Sequence, residues 1–111
     1  MASEPASSEP SRAAIDATPG AVLLEFGSAW CGHCRAAQAP IASATSAHPA
    51  VRHVKIEDGP GRRLGRSFGV KLWPTLVFLR DGVEAARLVR PRAEGEIGAA
   101  LAAIDASGTA P

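Results

Sequence analysis

Trp30-Cys31-Gly32-His33-Cys34 decides how this chain is read. It holds both cysteines of the sequence, two residues apart, and follows the apolar run Ala21-Val-Leu-Leu-Glu-Phe26. A run rich in Val, Leu and Phe, bounded by Pro19-Gly20 and Gly27-Ser28, predicts a short buried strand. Arg35-Ala-Ala-Gln-Ala39, just beyond Cys34, has high helix propensity. The two thiols therefore fall where a strand end passes into the first turn of a helix. Residues three apart are neighbours on a helix, and that spacing suits the Cα separation a disulfide needs. A thiol at a helix N-terminus also meets unpaired backbone N–H groups and the positive end of the macrodipole, which stabilise its thiolate. The chemistry indicated is thiol–disulfide exchange. Half of a zinc site is the competing reading, but structural zinc takes four ligands. A second C-x-x-C is absent, and His33, His48 and His53 lack ligand spacing.

Trp-Cys-Gly-His-Cys after an apolar strand resembles the active site of the thioredoxin superfamily, with the Gly-His dipeptide found in protein disulfide isomerases. Helical geometry puts Cys31 at the open end as attacking thiol and Cys34 one turn inside as resolving thiol; the resemblance implies the same order. His33 can offer the Cys31 thiolate a hydrogen bond or a positive charge, or stand solvated with no partner. Trp73-Pro74-Thr75 resembles the superfamily's cis-proline segment, which lies against the cysteines and offers backbone hydrogen bonds to a substrate chain. Trp30 and Trp73 would then wall a groove beside Cys31 and Gly32.

Glu25 interrupts an apolar strand. Alternation puts Val22, Leu24 and Phe26 on one face and Leu23, Glu25 and Gly27 on the other. Burial should raise the Glu25 pKa. The residue matches the buried aspartate that thioredoxins keep beneath the second cysteine to accept its proton; a surface Glu is the plain alternative. His53 or, if the register slips, Lys55 is the cation available to it. Three departures from the family pattern stand out. Gly27 replaces a tryptophan and removes bulk beneath the site. Pro40 comes six residues after Cys34 rather than five. Arg90-Pro91 replaces a Gly-Ala-like rim segment and adds a positive charge.

The chain of 111 residues allows one small domain. A net charge of +1 gives no reason to propose nucleic acid or an acidic membrane surface as partner. No apolar run reaches the length of a membrane span. The polar, Pro-rich start lacks a basic n-region and an apolar h-region. These features lead to an expected cytoplasmic monomer, where a lone C-x-x-C is catalytic.

Residues 1–8 are expected as a disordered tail, 9–107 as the domain and 108–111 as a C-terminal tail. A short helix follows Ser8 as N-cap and ends before Pro19. Strands are expected over 21–27, 51–56 and 70–79, and from 83 to 89 after an Asp81-Gly82 hairpin turn. Helices are expected from about 31 to 47, kinked at Pro40, from 62 to 68, and from 93 to 105. The order implies an α/β, thioredoxin-like fold: a mixed four-stranded sheet flanked by helices, without the family's usual first strand and with 51–56 at an edge.

The function expected is a thiol–disulfide oxidoreductase acting on protein disulfides through Cys31 and Cys34, with Glu25 and His33 assisting. Trp30, Gly32, Trp73, Pro74, Thr75 and Arg90 would meet the substrate. No bound cofactor and no metal are implied, and a recycling reductase such as a thioredoxin reductase would restore the dithiol. An isomerase or oxidase, or a client-binding module without turnover, are the alternatives.

Overall fold

The computed structural model describes residues 9–105. The expected tails, together with Ser8 and Ser107, lie outside the described residues. Eight elements follow one another: α1 (Arg12–Asp16), β1 (Ala21–Gly27), α2 (Gly32–Ser46), β2 (Arg52–Glu57), α3 (Arg63–Ser67), β3 (Thr75–Arg80), β4 (Val83–Val89) and α4 (Glu94–Ile104). The sheet runs β2-β1-β3-β4. β1 lies parallel to β2 and antiparallel to β3, and β4 is antiparallel to β3. Among the described residues the sheet has four strands and none precedes β1, as expected.

Alternation along β1 divides the core. Leu23 faces α2 and α4, packing with Ala37, Ile41, Ile97 and Leu101. Val22, Leu24 and Phe26 face the other way, towards Ile15, Leu64 and Phe68 of the short helices. Leu23, Leu24 and Phe26 are wholly buried, so truncating one to Ala should cost roughly 2–5 kcal/mol. Because β1 is buried on both faces and lies between two strands, it holds its C-terminal end rigidly. The cysteine turn starts there.

Four boundaries differ from the sequence reading. Ser11, not Ser8, caps α1, its side chain accepting from the Ala14 N–H. β2 is offset by one residue, and α3 is one residue shorter at each end. β3 begins at Thr75 rather than Val70, because Pro74 has no N–H to give a ladder. Phe26 pairs with Thr75, so β3 starts opposite the end of β1. As expected, α2 continues through Pro40, to Ser46. In the hairpin, Asp81 and Gly82 have φ of 53° and 81°, as a two-residue type I′ turn requires. Asp81 also ties this tip to β1: its carboxylate accepts from Gly20 N at 2.7 Å.

Candidate active site

Cys31 is the N-cap of α2, with extended backbone (φ −88°, ψ 116°) and its sulfur accepting from Cys34 N at 3.1 Å. Both cysteines are free thiols. Cys34 is buried while Cys31 is partly exposed. Room for the inner sulfur comes from β1: a Cβ on Gly27 would sit 2.7 Å from Cys34 Sγ. The missing bulk at Gly27 is thus occupied by the resolving thiol itself.

The two thiols are displaced in opposite directions. Burial opposes ionisation of Cys31, but the Cys34 thiol, the N–H groups of Cys34 and His33, and the charge of Arg90 together hold it below the ordinary thiol value. Burial pushes Cys34 up to about 11, helped by its hydrogen bond with Cys31 and by the charges of Cys31 and Glu25. A backbone contact from Ser28 only partly offsets this.

His33 acts on Cys31 through its backbone N–H, not through its ring as expected. The exposed imidazole makes no hydrogen bond among the described residues. It borders a separate cleft of about 490 Å³ with Pro40, Val89, Arg90 and Arg92. The second position of a helix points its side chain outward and its N–H towards the cap, which explains the split.

Glu25 is 6% exposed and lies on the α2 face of β1, as alternation requires. His53 Nε2 lies 2.7 Å from its Oε1, and Gln38 Nε2 donates to its Oε2 at 2.8 Å. Lys55 does not reach it directly; Lys55 Nζ donates to Gln38 Oε1 at 2.9 Å. His53 is therefore the partner without any slip of register. The expected rise in the Glu25 pKa is overturned. Burial does push it up, but the hydrogen bonds from His53 and Gln38 and the charges of His53 and Lys55 outweigh burial and lower it. The edge-strand His53 turns inward instead of towards water.

Gln38 went unnoticed in the sequence. It also donates to Cys34 O at 2.9 Å, so it joins the helix carrying the thiol to the carboxylate. Its position four residues after Cys34 puts it on the same helical face, the one available signal. Glu25, Cys34, Gln38 and Lys55 line an open cleft of about 350 Å³. A polar space of that size admits water, and no direct hydrogen bond joins Cys34 to Glu25.

The opposite wall is the Trp73–Pro74 segment, whose peptide bond is cis. Trp73 O lies 3.8 Å from Cys31 Sγ and accepts from Arg90 Nε at 2.8 Å. Arg90 N donates to Pro74 O at 2.8 Å, with Arg90 itself in the left-handed region at φ 52°. The Trp73 indole donates to Asp58 Oδ2 at 2.9 Å. Trp30 is 88% exposed, beside Cys31 and Gly32. Thr75 is buried, its hydroxyl donating to Leu72 O at 2.6 Å, so its side chain holds the loop rather than facing the groove. Among the described residues no group of three or more His, Cys, Asp or Glu is placed to hold a metal ion. No helix among them is long and apolar enough to cross a membrane.

The thioredoxin family profile matches residues 6–103. The chain belongs to the thioredoxin family. Thioredoxin 2 from Pseudomonas aeruginosa PAO1, solved in its reduced form, is 55% identical with a TM-score of 0.79, over 89% of this chain and 92% of that one. Protein disulfide-isomerase A3 of Gallus gallus is 40% identical over 75 residues, 67% of this chain and 15% of its own length. Thioredoxin of Chlamydia muridarum (strain MoPn / Nigg) is 33% identical over 70 residues, 63% of this chain and 69% of its own. The chain thus spans only a small fraction of the isomerase relatives it matches.

Proposed function

We propose that this thioredoxin-family protein is a thiol–disulfide oxidoreductase that reduces protein disulfides. The observation that carries the reading is the opposite displacement of two thiols one helical turn apart. The Cys31 thiolate attacks one sulfur of a substrate disulfide; that S–S bond breaks and a mixed disulfide forms on Cys31, with one substrate thiolate leaving. Cys34 then loses its proton and attacks Cys31 Sγ. The second substrate thiolate leaves, and the two electrons that reduced the substrate have come from the Cys31 and Cys34 thiols, which end joined as a disulfide. An external dithiol or a reductase must return them.

The second step is the hard one. In the reduced protein, with a pKa of about 11, Cys34 is thiolate in only about one molecule in ten thousand at neutral pH, and in the mixed disulfide burial and the Glu25 charge still oppose its ionisation. Glu25, ionised at that pH, is the proton acceptor in this reading, reached through water in the shared cleft. His53 and Gln38 hold it there. Trp30, Gly32, Trp73, Pro74 and Arg90 form the face a substrate chain would meet, with the Trp73 carbonyl beside the attacking sulfur.

The high identity to a thioredoxin along nearly the whole chain supports the reducing direction. Disulfide isomerisation is the second reading, favoured by the isomerase similarity over 75 residues. Insulin reduction with dithiothreitol tests the first, and reactivation of scrambled ribonuclease the second. Cys31→Ser should abolish insulin reduction, and Cys34→Ser should accumulate a mixed disulfide with the substrate visible by mass spectrometry. Mixed disulfides forming on Cys34 instead would reverse the assignment.

A further inference from the structure

Twelve basic and eleven acidic side chains leave the chain nearly neutral, so its total charge selects no partner. Their placement does. A cleft of about 280 Å³ opens beside Trp73, walled by Asp58, Pro60, Arg62, Arg66 and Lys71. Arg66 and Lys71 are exposed, and Arg62 is half-buried with one contact to the Glu57 carbonyl. None of these three cations has a carboxylate within ion-pair distance among the described residues. Arg12, Arg80 and Arg87, by contrast, each pair with a carboxylate: Asp16, Asp81 and Glu84.

Asp58 is the one carboxylate of this cleft, and it is committed to the wall. Its Oδ2 accepts from the Trp73 indole, and its carboxyl fills the space left by Gly65, where a Cβ would come within 2.7 Å of Asp58 Cγ. The cleft is therefore positive on balance. Its floor is the same tryptophan whose carbonyl touches the attacking sulfur.

We propose that this cleft receives an acidic segment of the substrate polypeptide, lying within a few residues of the cystine that Cys31 attacks. The inference rests on the reading of the protein as a disulfide reductase and adds the substrate class. A chain with its disulfide on Cys31 lies beside Trp73, whose carbonyl is 3.8 Å from the attacking sulfur. On leaving the groove on this side it meets three cations that nothing else neutralises. Charges at such a rim act on encounter and on salt dependence, and screening limits them to about 8 Å at physiological ionic strength, so only carboxylates close to the cystine are felt.

The test uses cystine peptides of one sequence with three Glu or three Gln as the flanking segment, reduced by the full chain with a coupled thiol assay. The Glu peptide should have kcat/KM about tenfold higher at low salt, through KM and not kcat, and the gap should close at about 0.5 M salt. Arg62→Gln, Arg66→Gln and Lys71→Gln combined should remove the preference while leaving the Gln peptide unchanged. Reversing the three to Glu should favour a Lys-flanked peptide. Equal kcat/KM for the two peptides, or a preference that survives the triple Gln variant, overturns the acidic-segment assignment while leaving the reductase reading intact. If neither peptide is reduced, the reductase reading falls and takes this inference with it.

Discussion

Cys31 and Cys34 are separated by one turn of α2, yet the mouth of that helix and the pocket behind it treat the same side chain oppositely. At the mouth, N–H groups of the first turn converge on a partly exposed sulfur, and Arg90 adds charge from the rim. In the pocket the sulfur is packed against Gly27 with a carboxylate nearby, and its proton is held to a pKa of about 11. The comparison teaches that thiol acidity is set by which backbone groups face the sulfur and by whether water does. In the proposed reaction it also divides the labour: the first thiol would need no base, and the second would need one.

Removing that base is the largest expected perturbation. Glu25→Gln should slow the resolving step about 10²-fold at neutral pH, the low end of the general-base range. The low end applies because its depressed pKa makes Glu25 a weak base, and removing its charge also eases Cys34 ionisation. Single-turnover decay of a trapped mixed disulfide measures this step, while the initial attack by Cys31 should keep its rate. The same residue leaves a mark on stability. Its folded pKa lies below the unfolded value of about 4.3, so it stabilises the fold above that value and the contribution is lost as pH falls through the folded pKa. The acid limb of a stability–pH curve should be shallower in Glu25→Gln.

Gly27→Ala sharpens the comparison from the pocket side. A methyl group 2.7 Å from Cys34 Sγ must displace the sulfur or the strand, and overpacking of this kind costs about 1–3 kcal/mol. Urea unfolding of the reduced protein should register that loss.

The smallest effect separates the two halves of His33. His33→Ala keeps the backbone N–H and should leave the Cys31 pKa in place. His33→Pro deletes the N–H and should raise it, by a few tenths of a unit to about one. Early helix positions tolerate proline because their N–H groups lack helical partners. Equal shifts in both variants would return the role to the imidazole.

Much of this was legible before any coordinates. The alternation of β1 put Glu25 and Leu23 on the α2 face, the Asp81-Gly82 pair marked the hairpin, and the cysteine spacing placed both thiols on one turn. What stayed hidden depended on register and direction. The sign of the Glu25 shift required knowing that His53 on the edge strand turns inward. Gln38 became a functional candidate only once parallel pairing of β1 with β2 brought Lys55 to it. The Asp58–Trp73 bond joins the loop after β2 to the loop before β3, across fifteen residues with no local pattern. β3 started late because a single proline outweighed four residues of strand-like composition.

The central claim is that the mouth and the pocket of α2 split the two thiols, and it is tested most directly by titrating each alone. In Cys34→Ser, the rate of iodoacetamide alkylation of Cys31 should rise to half its maximum below the ordinary thiol value of about 8.5. The hydroxyl and the backbone N–H groups still face the sulfur in that variant. In Cys31→Ser, burial and the Glu25 charge still act on Cys34, so its alkylation should remain slow through neutral pH and rise only above about 8.5. Two thiols that titrate together near 8.5, or a Cys34 more acidic than Cys31, would contradict the account.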